Sequence, residues 1–148
     1  MKNRDILPRI YKYCAYQDRS RKEIEEKLIS LEVEPKDIPE IMELLAADRM
    51  WDEARFARSF TRGKFTVKKW GRTKIRYELK KKGVPDSLIA EAFSSEIEEE
   101  DYLKILERLV EKKQKQWAAI PPFESRQKII RYLQSRGYEW DKIMEVLG

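Results

Sequence analysis

The sequence predicts an all-α fold: three tandem three-helix units strung into an elongated, curved array. Three observations carry this expectation. Apolar residues recur at spacings of three and four along most of the chain, with no sustained alternation of period two. A ladder of residues at strict steps of four occurs three times, at offsets of 51 and 54 residues. Charged residues make up 40% of the 148, against roughly a quarter in an average globular domain. That surplus suits slender helices with much surface for their volume.

The first helix is expected over about 5–16. It carries the single cysteine in the run Ile10-Tyr11-Lys12-Tyr13-Cys14-Ala15, where Cys14 reads as a small core residue. Ser20-Arg21-Lys22-Glu23 is a capping box, so a second helix starts there and buries Ile24, Leu28 and Leu31. It must stop before Val33-Glu34-Pro35. A third starts near Asp37 with Pro39 in its first turn, where a missing N–H costs nothing, and buries Ile38, Ile41, Met42, Leu44 and Leu45.

The second unit opens with Asp52 as an N-cap and runs as a helix to about Arg62, with Phe56 and Phe60 as core residues. A joint over 63–70 leads to a helix over 70–82 that buries Ile75 and Leu79. Gly83 ends it as a left-handed stop, and an apolar helix with Leu88 and Phe93 follows. After a joint over 94–100 the third unit opens with Asp101 as N-cap and runs to about Trp117. Pro121-Pro122 enforces a break within the joint over 118–124. Ser125, Ile129, Leu133 and Gly137 then repeat the ladder of Gly71, Ile75, Leu79 and Gly83, and of Ser20, Ile24, Leu28 and Glu32. The bend Tyr138-Glu139-Trp140 leads to a last helix with Ile143 and Leu147. The units are expected at 1–48, 49–98 and 99–148. Each is too small to be secure alone, so neighbours should share buried surface. Trp51, Trp70, Trp117 and Trp140 read as packing residues.

Composition excludes several chemistries. With no histidine there is no Ser-His-Asp or Cys-His machinery and no imidazole metal site. One cysteine builds neither a thiolate zinc site nor a CxxC pair. Gly63, Gly71, Gly83, Gly137 and Gly148 cannot be assembled into a phosphate-cradling loop. Carboxylates are plentiful, but they lie among Lys and Arg on helical faces, where solvated charge accounts for them. The chain therefore reads as a non-enzyme without metal or cofactor. No apolar run approaches the ~20 residues that span a bilayer. The opening Met1-Lys2-Asn3-Arg4-Asp5 leads into no apolar signal core, so a cytoplasmic location is expected.

Charge is unevenly placed. Residues 1–54 hold 10 basic and 13 acidic side chains, as do residues 83–148. Residues 55–82 hold 12 basic and one acidic, Glu78. A mild net charge of +5 thus hides one strongly cationic segment. Neutralising phosphates releases their condensed counterions, so such a segment suits a polyanionic partner; the plain alternative is a solvated face. In the helix over 70–82, Arg72, Arg76 and Lys80 form a row beside the buried stripe. Lys74, Lys81 and Lys82 extend the charge around it, and Lys64, Lys68 and Lys69 sit on the preceding joint. Cations in a last helical turn also complement the dipole, which serves equally for Lys80, Lys81 and Lys82. Trp70, between Lys69 and Arg72, is the tryptophan best placed to stack on a partner. A free-standing DNA- or RNA-binding helical protein and a protein-gripping scaffold both fit this pattern.

The ordered blocks carry a resemblance. Met50-Trp51-Asp52-Glu53-Ala54-Arg55-Phe56-Ala57 is followed by Trp70-Gly71-Arg72-Thr73-Lys74-Ile75-Arg76-Tyr77-Glu78-Leu79, then by Lys82-Gly83-Val84. With Leu133-Gln134-Ser135-Arg136-Gly137-Tyr138 near the end, this order resembles the RecX family of bacterial recombination regulators. Glu53 stands where the family usually has a second Asp, and Glu32 where a glycine is common, so the first unit's turn is expected to differ. The resemblance implies a regulator of homologous recombination; the single Cys14 independently fits a reducing cytoplasm, and a monomer is expected. Its partners would be a RecA-type recombinase filament and the DNA within it, and it would inhibit recombinase, ATPase and coprotease activities. Lys64, Lys68, Lys69, Trp70, Arg72, Lys74, Arg76, Lys80, Lys81 and Lys82 are the expected contact residues.

Overall fold

The computed structural model describes residues 5–148; residues 1–4, which open the expected first unit, lie outside it. Among the described residues there are nine α-helices and no strand. Unit 1 contains α1 (Ile6–Tyr16), α2 (Arg21–Ser30) and α3 (Ile38–Ala47), with a 3-10 turn at Pro35–Asp37. Unit 2 contains α4 (Glu53–Thr66), α5 (Arg72–Lys81) and α6 (Asp86–Glu96). Unit 3 contains α7 (Glu99–Gln116), α8 (Pro122–Ser135) and α9 (Trp140–Leu147). No helix among the described residues is long and apolar enough to cross a membrane.

The ladder of four ends in the same turn in every unit. The N–H groups of Glu32, Gly83 and Gly137 donate to Ile29, Lys80 and Gln134 carbonyls at 2.9, 3.0 and 3.0 Å. The next N–H, of Val33, Val84 and Tyr138, reaches back to Leu28, Leu79 and Leu133 at 3.0, 3.1 and 3.1 Å. Both carbonyls that the helix end would orphan are thereby satisfied. The buried side chains of Val33, Val84 and Tyr138 follow that turn into the core. All three turn residues are left-handed, with φ of 66, 79 and 96°. Contrary to the expectation that the first unit's turn would differ, Glu32 makes the same turn with a side chain that dislikes it.

Other departures have local causes. Asp52 caps α4 as expected, accepting from the Arg55 N–H at 3.0 Å. Asp101 is not a cap: α7 begins at Glu99, and Asp101 joins Glu99 and Glu100 in its first turn, where three acids complement the dipole. Helix α4 continues through Gly63 to Thr66. A glycine inside a helix costs about 1 kcal/mol, and burial of Phe65 two residues further on outweighs it. Lys64 therefore lies on a helix and not on a loop.

Two cores result. Ile10, Ile24, Leu28 and Leu45, all at 0% exposure, centre the core of unit 1, with Cys14 beside them. Burial pushes the Cys14 thiol pKa up and keeps it protonated. Units 2 and 3 share a second core running from Phe56 and Ala57 through Ile75, Leu79 and Tyr102 to Leu133 and Ile143. Trp51 packs against the first core, and Trp70 and Trp117 against the second, whereas Trp140 is 57% exposed. Units 1 and 2 meet through polar contacts. Asp18 accepts from Arg55 at 2.7 Å and from Ser59 at 2.8 Å, and Glu23 holds Lys82 at 3.2 Å. Units 2 and 3 are joined at the backbone as well. The Gly71 N–H donates to the Arg136 carbonyl at 2.8 Å and the Thr73 N–H to the Gly137 carbonyl at 3.0 Å. A Cβ on Gly71 would collide with the Gly137 carbonyl, and one on Gly137 with the Lys74 backbone nitrogen at 2.6 Å.

Candidate nucleic-acid interface

The twelve cations of residues 55–82 divide into three groups. Arg55, Arg72 and Lys82 tie unit 2 to its neighbours: Arg55 to Asp18 at 2.7 Å, Lys82 to Glu23 at 3.2 Å, and Arg72 to Glu99 at 2.6 Å and Glu139 at 3.1 Å. Arg58, Arg62, Lys80 and Lys81 pair within unit 2, with Glu91, Glu96, Asp86 and Glu78 at 3.3, 2.8, 3.3 and 3.7 Å. Lys64, Lys68, Lys69, Lys74 and Arg76 have no carboxylate partner among the described residues.

Arg72 is the residue whose setting the sequence conceals. Its row-mate Arg76 is exposed, but the Arg72 side chain is only 16% exposed. Its guanidinium lies 3.9 Å over the Tyr102 ring while its fork spans two carboxylates of unit 3. Burial opposes its charge, but hydrogen bonds to Glu99 and Glu139 outweigh that and raise its pKa. The Tyr102 hydroxyl accepts from the Arg72 N–H at 3.0 Å and donates to Glu139. Burial and that bond to Glu139 push the Tyr102 pKa far up, so the hydroxyl keeps its proton. Lys142 and Arg72 together hold the Glu99 carboxyl below its ordinary value. The arrangement is a clamp between units.

The five cations without carboxylates gather where α4 turns into α5. Trp70 lies between the ammonium groups of Lys64 and Lys74, at 4.8 and 4.5 Å from its ring, with Phe60 edge-on at 6.5 Å. Lys68, Lys69 and Arg76 are exposed. Unit 3 fixes the loop beneath them. The Tyr138 hydroxyl donates to the Lys69 carbonyl at 2.8 Å, and the Arg136 guanidinium donates to the Lys68 carbonyl. Lys69 takes a left-handed φ of 59°, which helps the loop reverse in a few residues, and its ammonium returns to the Thr66 carbonyl at 2.6 Å. The result is two ammonium groups flanking a half-exposed indole, with Lys68 and Lys69 on the braced loop beside it and Arg76 in the second turn of α5, its guanidinium over the Phe93 ring at 5.2 Å. Such a set neutralises phosphates and offers a surface for a flat group.

Lys80 and Lys81 remain more than half exposed despite their partners. Exposed pairs of this kind contribute little, about 0–1 kcal/mol, so both lysines can exchange partner. Sequence reasoning missed four cations of unit 1, Arg9, Lys12, Arg19 and Lys27, because the unit's acids cancel them in any count of net charge. Their signal was present: Arg9, Lys12, Tyr13 and Tyr16 stand at i, i+3, i+4 and i+7, one face of a helix.

Three three-helix units in series, with a basic middle, define an all-helical repeat protein. Family models agree unit by unit: the first three-helix domain of RecX matches residues 9–45, the second 52–92 and the third 99–147. The chain belongs to the RecX family. It is 33% identical over 132 residues to a Regulatory protein RecX of Clostridium acetobutylicum, covering 87% of this chain and 61% of that one. It is 30% identical over 146 residues to that of Chlorobaculum tepidum, covering 99% and 88%. It thus spans about three fifths of the first relative and most of the second. The crystal structure of RecX from Lactobacillus salivarius superposes with a TM-score of 0.85 at 26% identity, covering 97% of this chain and 95% of that one. These relatives are named as regulatory proteins, not as enzymes.

Proposed function

We propose that this protein binds a RecA-type recombinase filament on DNA and restrains its recombinase, ATPase and coprotease activities. It would do so in the cytoplasm and as a monomer. The observation that supports this most directly is that Lys64, Lys68, Lys69, Lys74 and Arg76 have no carboxylate partner among the described residues and stand on the end of α4, the loop braced by unit 3 and the first turns of α5, with Lys64 and Lys74 on Trp70. Units in series let one molecule touch several points of a filament, and bridging successive subunits would oppose their rearrangement and strand entry. Lys80 and Lys81 belong to the margin of this surface. Arg72 and Lys82, expected as contacts from the sequence, are assigned to holding the units together.

The test is ATP hydrolysis by a DNA-bound recombinase, titrated with this protein and its variants at several salt concentrations. Lys68→Ala with Lys69→Ala and Arg76→Ala should weaken inhibition and flatten its salt dependence by about three in log–log slope. Full inhibition by this triple variant at moderate salt would sink the assignment. Equal affinity for bare DNA and for filament would instead favour a free-standing nucleic-acid binder.

A further inference from the structure

Unit 1 carries a second cationic surface that net charge hides. A concavity of about 440 Å3 between α1 and α2 is lined by Arg9, Lys12, Tyr13, Tyr16, Arg19 and Lys27. No carboxylate among the described residues pairs with its four cations, and several of the unit's acids are engaged elsewhere, although Glu23 and Glu26 lie close enough to Tyr13 to add to the rise in its pKa that burial causes. Asp18 is on Arg55 and Ser59, Glu23 on the Ser20 cap and Lys82, Glu25 on Arg21, and Asp48 on the Tyr11 hydroxyl.

The groups are also ordered. The Arg19 Nε donates to the Tyr13 carbonyl at 3.0 Å, and its guanidinium carbon lies 3.8 Å over the Tyr13 ring. That fixes the guanidinium and leaves its terminal nitrogens for an outside acceptor. The Lys27 ammonium sits 5.4 Å from the same ring. Beside them Tyr16 is 82% exposed, with its ring centre 5.9 Å from the Arg19 guanidinium. Aromatic area costs free energy when left in water, and a flat ring beside fixed cations matches a base with its flanking phosphates. A duplex supplies the phosphates but keeps its bases stacked inside, which would leave Tyr16 without a role.

We propose that this concavity binds single-stranded nucleic acid, with one base on Tyr16 and the adjacent phosphates on Arg19, Lys27 and Lys12. The site does not depend on a recombinase, so its test uses bare strands and the full chain. Fluorescence anisotropy would follow binding of a labelled dT20 and of an abasic 20-mer of equal charge. Tyr16→Ala should weaken dT20 binding by about 5- to 150-fold, the loss of one stacked base, while binding of the abasic strand stays within about twofold. Tyr16→Phe should retain wild-type affinity. Arg19→Ala with Lys27→Ala should lower the salt slope for both strands by about 1.4, the value for two phosphates of a single strand. Unchanged dT20 binding by Tyr16→Ala, an equal loss on both strands, or an unchanged slope for the double variant would each overturn the proposal. None of these results bears on filament inhibition, which is read with the unit 2 variants.

Discussion

Glu32, Thr61, Arg72 and Glu99 are the residues at which single side chains decide most. Glu32 holds φ at 66° where the other units have glycine, and an L side chain there is strained by about 1–2 kcal/mol. Glu32→Gly should therefore stabilise the protein by about 1 kcal/mol after the glycine's larger unfolded-state entropy is deducted; chemical denaturation measures it. Thr61 is fully buried and its hydroxyl has no partner among the described residues. Thr61→Val keeps the shape and removes the orphan, so a gain of about 1 kcal/mol is expected. Arg72→Ala should cost about 2 kcal/mol, since it leaves Glu139 half-buried opposite Tyr102. Lys68→Ala should leave the melting temperature unchanged. Glu99 gives a pH signature. Its folded pKa lies below the ordinary 4.5, so its contribution is whole above that pH and is lost as pH falls through the lowered value. Glu99→Gln should flatten the acid limb of stability, and a limb of unchanged steepness would show that the carboxylate is not held as described.

At the scale of elements, the helices were legible because periodicity and caps agree. The Ser20–Glu23 box, the Asp52 cap and the ladders ending at Gly83 and Gly137 all fall where the sequence puts them. Legibility failed where a local signal met a tertiary one. Gly63 signals a break, but Phe65 must reach the core, so α4 runs on. Asp101 is a good cap in isolation, but α7 starts two residues earlier and absorbs it. Spacing alone puts Arg72 and Arg76 in one row, and nothing in that spacing says that unit 3 covers the first turn of α5 and leaves the second open. The joint between units 2 and 3 rests on Gly71 and Gly137. Gly137→Ala combines a φ of 96° with a collision against α5 and should cost about 2–4 kcal/mol. Thermal melting would show it, and a melting temperature within a degree of the parent would contradict the close approach.

Across the whole molecule, the division into cores is the feature the sequence least foretold. Apolar periodicity counts three equivalent units, yet unit 1 closes its own core while units 2 and 3 fuse theirs. The difference lies in what faces each junction: Asp18, Glu23, Arg55 and Lys82 at the first, Tyr102, Leu106 and Tyr138 at the second. Polar junctions are weak and salt-sensitive. Hydrogen exchange should accordingly find α1–α3 opening at lower free energy than α4–α9, more so with Arg55→Ala. Uniform protection through all nine helices would refute the two-body description. The candidate surface was legible in part for a related reason. A run of like charge is visible in one dimension, but its neutralisation by Glu99 and Glu139, 27 and 67 residues away from Arg72, is not.

Arg136 and Tyr138 grasp the loop at 67–71 by main-chain oxygens, at Lys68 and Lys69, and not by side chains. Those two positions thus behave as interchangeable sockets on a rigid mount. The ammonium at 68 can be exchanged for neutral amide, acid or thiol label without disturbing the bracket, and position 69 accepts Asn or Gly, which suit its φ of 59°. Evolution and the engineer alike can tune the strength of this contact here while the architecture stays constant.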